Sequence, residues 1–285
     1  MSAEKTHGTN ERRLAKPIRL FLTGQARRVA AEVRQHGTIT AALVPLIFRA
    51  DVEHLAFLKA VRTPMATTIA GAALAELRRH AKPKKRNKAD DSLEESLLKL
   101  KGLPKEAFEL LKEYLHDLEA QPFWAGIQAS TEKRLTELIT GGIADGLTNR
   151  DLAKLIAEEL GAGSAARALA IARTETTGLM NAGHAAVHKT LGDAGLITGK
   201  TWSATLDKDV RAAHLSLHGV TVKPDENFNV GGFLVPYPGH WSLPAQQRVN
   251  CRCLTTTKSA FEEGTEDEYE DDAELINLMA AAGML

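Results

Sequence analysis

The chain has 285 residues, 44% hydrophobic and 25% charged, with 36 Lys+Arg against 36 Asp+Glu. That is enough apolar material for one large core or two ordinary ones. Two cysteines one residue apart exclude a disulfide framework and fit assembly in a reducing cytoplasm. The longest apolar run, Ala41 to Phe48, falls far short of the roughly 20 residues a membrane span needs. No apolar stretch follows the first basic residues, so a soluble protein without a secretory signal is expected.

The neutral total hides a polarity. Residues 1–88 carry 18 Lys+Arg against 6 Asp+Glu, while residues from Phe261 onward carry 9 acidic residues and no basic one. A basic arm of this kind is suited to nucleic acid or an acidic partner, with Arg27, Arg28, Lys84, Lys85 and Arg86 as contact candidates. The acidic end would avoid DNA. Either run would also serve as a plain solvated surface.

Along the chain, Met1 to Asn10 is polar and expected to be disordered. Ile18, Phe21, Leu22, Val29 and Val33 recur at near-helical spacing from about Pro17, and Gly37 ends that helix. A second helical region runs from about Ala41 to His80, with Pro45 and Pro64 as breaks or first-turn residues. Residues 81–92 hold no large apolar side chain and read as an exposed linker. Helical spacing resumes between Leu93 and Leu118. Pro122 begins a further helix, carrying Leu135, Leu138 and Ile139, that Gly141-Gly142 should stop. Thr148 and Asp151 form a capping-box start for a helix ending near Gly161, and Ser164 is placed to cap a long helix to about Leu191. After Gly199 the pattern changes. Trp202, Ala204 and Leu206 alternate with Thr201, Ser203 and Thr205 as in a strand, and Asp207 can cap a short helix ending at Gly219. Val220–Val222, Phe228–Val230 and Phe233–Val235 are short strands, the last two joined across Gly231-Gly232, and Cys251 to Thr256 is a final strand. Trp202, Trp241, Phe228 and Phe233 read as the core here. The expected class is α+β: helical for two-thirds, then a small α+β unit with short antiparallel strands. The expected segments are a basic helical region to residue 88, a core at 93–260 and an acidic tail at 261–285 with a short helix.

Three clusters could carry chemistry. Arg173 and Glu175 lie two apart on the long helix, on different faces, so each needs a partner on another segment; Asp209 and Arg211 are candidates. His184/His188 and His214/His218 are both spaced i,i+4, which puts two imidazoles on one helical face. Cys251 and Cys253, on a strand, would point to one side, and with His214 they form a candidate zinc set. Two small buried thiols are the alternative, and Cys-x-Cys is shorter than common zinc-finger spacing. A strongly held catalytic set is not evident: Glu175 as an acid or base would need a cleft, and there is no His-Glu-x-x-His.

The order of these motifs resembles the phage Mu F-like family of minor head proteins. The resemblance covers about residues 125–257 and rests on Ile171, Ala172, Arg173, Thr174, Glu175 and Asn181, then Trp202, Thr205, Asp207, Arg211, His214 and Gly219, then Asn250, Cys251 and Cys253. The chain departs from the family at His218, where an acidic residue is usual, and in the Pro238-Gly239-His240-Trp241 loop. The resemblance implies a non-enzymatic minor capsid protein of head morphogenesis, made in the host bacterial cytoplasm. It would sit in the head interior or at the portal vertex and associate with portal and capsid proteins. Contact with packaged double-stranded DNA would be non-specific. No cofactor is implied, zinc aside. The competing expectation is an enzyme of phage origin, a metal-dependent nuclease or toxin-like transferase.

Overall fold

The computed structural model describes residues 3–79 and 122–260. The expectations for the linker with Lys84, Lys85 and Arg86, for the helices between 93 and 118, and for the acidic tail lie outside these residues. The chain forms two compact units, one from Met1–Pro64 and Asp117–Ala172, the other from Met65–His116 and Arg173–Leu285. The order of elements is α+β as expected: helices occupy the described residues up to Asp193, and five short strands follow. No described helix is long and apolar enough to cross a membrane.

The first unit is helical. It contains α1 (Ala3–Gln35), a 3₁₀ turn at Ala41–Leu43, α2 (Val44–Ile47) and the first part of α3 (Ala50–Arg79). It continues with α4 (Pro122–Ala144), α5 (Asn149–Ala162) and the start of α6 (Ser164–Asp193). The helix α1 begins well before Pro17, which lies inside it. His7 and Asn10 are buried, so packing orders turns that their polarity alone would leave loose. Val29, Ala30 and Val33 of α1 share one core with Leu135, Leu138 and Ile139 of α4 and with Leu152, Ala153 and Ile156 of α5. This core draws residues from both sides of the composition break near residue 88. Fully burying each large aliphatic side chain there contributes about 1.5–3 kcal/mol.

Local signals explain most helix ends. Thr148 is the N-cap of α5 in extended conformation, and its hydroxyl accepts from Asp151 N at 3.3 Å while donating to Asp151 Oδ2 at 2.6 Å. Gly141-Gly142 does not stop α4. The helix runs on to Ala144, and Gly146, at φ +72°, lets the Leu147 amide reach the Gly142 carbonyl. Ser164 does not cap α6 either. It is the first residue of that helix, and its hydroxyl donates back to Leu160 O at 2.8 Å.

The second unit packs α3 from Met65 and α6 from Arg173 with the sheet region. Gly183 of α6 lies so close to α3 that a Cβ there would stand 2.3 Å from the Ile69 carbonyl oxygen. Strands β1 (Ile197–Ser203), β2 (Thr221–Val222) and β5 (Leu254–Ser259) form an antiparallel sheet in the order β2-β1-β5. Strands β3 (Phe228–Val230) and β4 (Phe233–Val235) make a hairpin whose two loop residues, Gly231 and Gly232, both have positive φ, as a two-residue turn of the primed type requires. Short helices α7 (Ala212–Leu215) and α8 (Ala245–Arg248) lie in the connections. The core holds Trp202, Phe228, Val230, Val235, Cys251 and Cys253. Two residues expected in it are exposed: Phe233 at 45% and Trp241 at 41%. Phe233 begins β4 at the hairpin turn, and Trp241 lies in the proline loop. The last strand also starts later than expected, leaving Cys251 and Cys253 in the segment before it.

Candidate functional site

A polar stretch of α6 is buried. Thr174, Glu175, Thr177 and Asn181 are all 1% exposed or less, and the chain from Pro238 to Thr255 is bonded against them. Asn250, at φ +59°, turns the backbone so that its amide donates to Thr174 Oγ1 at 2.9 Å. The Thr177 hydroxyl donates to Cys251 O. The Asn181 amide nitrogen donates to Pro238 O and Cys253 O at 3.1 and 2.9 Å, and its oxygen accepts from Thr255 N and Thr255 Oγ1 at 2.8 and 3.1 Å. Gly239, at φ +74°, allows the loop to approach α6, since a Cβ there would meet Gly178 N at 3.0 Å.

The Glu175 carboxylate is paired with Arg248, whose Nη2 lies 2.7 Å from Oε1 and 2.8 Å from Oε2. Arg248 Nε also donates to Gly239 O. Burial pushes the Glu175 carboxyl up from its ordinary value, and the Arg248 charge and hydrogen bond oppose that shift. The expected partners, Asp209 and Arg211, are not used by Glu175: Arg211 donates to Val249 O. Asp207 pairs with Arg252 and accepts from Asp209 N, while the N-cap of the short helix α7 is Arg211. Arg248 was the residue that motif spacing missed. A usable signal existed, because the chain from 206 to 260 holds only three arginines, Arg211, Arg248 and Arg252.

His214, Cys251 and Cys253 are brought together, all buried, with one ligand atom of each within 4.8 Å of the others. His214 Nδ1 is 3.4 Å from Cys253 Sγ and 3.6 Å from Cys251 Sγ. The two thiols share a hydrogen bond, which draws the Cys253 thiol down and holds the Cys251 thiol up. Trp202 meets the His214 ring edge-on at 5.5 Å. His218 stands apart from this trio, its Nδ1 accepting from Ala204 N at 3.2 Å. His184 and His188 belong to another cluster. His188 Nε2 lies 3.4 Å from Glu76 Oε1, which also accepts from the Thr257 hydroxyl, and Arg79 meets Glu76 Oε2. Burial lowers the His184 pKa to about 4, against the pull of Glu76.

In the first unit, Arg27 lines a groove of about 670 Å³ together with Arg34, Arg150 and Lys154 and one carboxylate, Asp151. Arg28 is instead held by Glu53, at 2.7 Å.

Residues 133–256 match the family described as Phage Mu protein F like protein. This stretch is similar to a Mu F-like domain. It takes in the whole polar clasp, from Thr174 and Glu175 to Arg248 and Thr255. Over 123 residues the chain is 33% identical to the NAD(+)–arginine ADP-ribosyltransferase EFV of Enterococcus faecalis, which is 43% of this chain and 25% of that protein. Over 55 residues it is 44% identical to the Minor head protein GP7 of Bacillus phage SPP1, 19% of this chain and 18% of that protein. The chain thus spans a quarter or less of the length of these two relatives. No solved structure matches. Within the matched stretch these residues are used for packing and hydrogen bonding: Glu175 is fully enclosed and ion-paired with Arg248.

Proposed function

We propose that this chain is a minor head component of a tailed phage, acting in head morphogenesis through association with capsid and portal proteins. The observation that carries the reading is the match of residues 133–256 to the Phage Mu protein F like family, a stretch whose clasp between α6 and residues 238–255 serves packing. The minor head relative adds the assembly setting. On this reading the protein is made in the bacterial cytoplasm and resides in the virion, inside the head or at the portal vertex. The groove of Arg27, Arg34, Arg150 and Lys154 supports a non-specific contact with packaged double-stranded DNA, with the basic residues up to 88 adding to it. Affinity would then come from counterion release and fall steeply with salt.

The test is co-expression with the capsid and portal proteins of the same phage, followed by purification of heads on a density gradient. The chain should co-sediment with heads and remain after nuclease treatment. Its absence from heads assembled in its presence would overturn the reading. A transferase reading draws on the relative named for arginine ADP-ribosylation, one quarter of which is matched. Transfer from NAD+ to an arginine analogue, abolished by Glu175→Gln in protein that still folds, would establish that alternative instead.

A further inference from the structure

We propose that His214, Cys251 and Cys253 hold a zinc ion, with a water in the fourth position toward the adjoining hollow. The two nitrogen–sulfur separations match edges of a tetrahedral zinc centre. A zinc centre with Zn–N about 2.1 Å and Zn–S about 2.3 Å has N···S edges of about 3.6 Å. The two observed edges are 3.4 and 3.6 Å. A thiol hydrogen bond to imidazole would account for one sulfur beside Nδ1, whereas here both sulfurs converge on the same nitrogen.

The surroundings set the imidazole for this role. His214 Nε2 lies 3.1 Å from Gln247 Oε1, an oxygen that only accepts, so the ring proton is placed on Nε2 and the Nδ1 lone pair faces the sulfurs. An outer hydrogen bond of that kind is the usual support of a zinc-bound histidine. Trp202 against the ring, and the core around Cys251 and Cys253, fix all three side chains. Among the described residues no other His, Cys, Asp or Glu completes the set within the same radius. The three ligands border a small hollow, about 20 Å³, shared with Thr205, Asp207, Asp209 and Arg211. That is room for about one water. On binding, both thiol protons leave to solvent and the sulfurs coordinate as thiolates. The ion would tie residues 251–253 to α7, beside the clasp on α6. This inference is independent of whether the chain enters a phage head.

The full-length chain, purified under reducing conditions without chelator or metal-affinity resin, should carry about one zinc per chain by elemental analysis. His214→Ala and Cys253→Ser should each reduce this below about a tenth. X-ray absorption at the zinc edge reads the ligands of the unaltered protein, independently of how those variants fold. Two sulfurs at about 2.3 Å with nitrogen and oxygen at about 2.0–2.1 Å are expected. A shell of oxygen and nitrogen alone means an adventitious ion only and overturns the proposal. So does folded protein that holds below about a tenth of an equivalent, both as purified and after incubation with zinc, with both thiols still titratable.

Discussion

A carboxylate as enclosed as that of Glu175 costs several kcal/mol to bury unless a cation meets it, and Arg248 does so through one nitrogen, Nη2, that lies close to both oxygens. Removing one partner should therefore cost far more than removing both. Arg248→Ala is expected to lose about 3–5 kcal/mol in urea unfolding at pH 7, while the double change Glu175→Leu, Arg248→Met should recover most of it. A single Arg248→Ala variant unfolding at the same urea concentration as the parent would disprove the pair's role. The need for such a partner was legible in the sequence, since a charge on an otherwise apolar helix has to be matched. Which cation met it was not, because a partner 73 residues away is chosen by how the loop folds back, not by spacing. The convergence of His214 with the two cysteines was legible for a simpler reason. Two thiols and an imidazole are the donor types of a single zinc set, so residue chemistry alone grouped them.

At Gly183, α6 approaches α3 so closely that there is no room for a methyl group. Backbone atoms cannot yield as a flexible side chain would, so Gly183→Ala must push the two helices apart. The expected loss is about 1–3 kcal/mol, read as a lower melting temperature with unchanged helix content. A variant as stable as the parent would show that the helices repack at no cost. At this scale the sequence was informative where a local rule acts alone. The Thr148–Asp151 cap and the Gly231-Gly232 hairpin both follow from chemistry within four residues. It was less informative where distant packing decides. The polar first turns of α1 are helical because His7 and Asn10 find cover, and Trp241 is exposed because the proline loop turns it away from the core its size would suit. The capping reading of Ser164 failed because the preceding helix runs almost directly into α6, so an open carbonyl of that helix, Leu160 O, lay nearer than any orphan amide.

Across the whole molecule, stability should depend on pH below neutrality. Burial lowers the pKa of both His184 and His240 to about 4, with Glu76 opposing at His184 and Arg248 reinforcing at His240. Both rings are thus neutral in the folded chain, whereas in the unfolded chain they take up protons near their ordinary value of 6.5. Their contribution is fully present above that value and is lost as pH falls toward 4, by up to about 1.4 kcal/mol per pH unit for each ring. Glu175, shifted upward, acts with the opposite sign. The histidine share is therefore read by difference: urea midpoints between pH 7.5 and 5 should fall less steeply for His184→Gln than for the parent. Equal slopes would show that His184 titrates normally. The clasp also has a consequence for synthesis. Glu175, Thr177 and Asn181 emerge from the ribosome more than seventy residues before Arg248, Cys251 and Thr255, the groups that satisfy them. Until then these α6 side chains lack the partners that the later segment brings, and a loop of that length has to close before they meet. The second unit therefore cannot finish folding until residue 255 has left the ribosome. A ribosome that stalls or a message cut short anywhere before residue 255 releases a chain lacking its last bonds, which leaves it open to proteolysis and keeps partial copies out of any assembly that selects folded subunits.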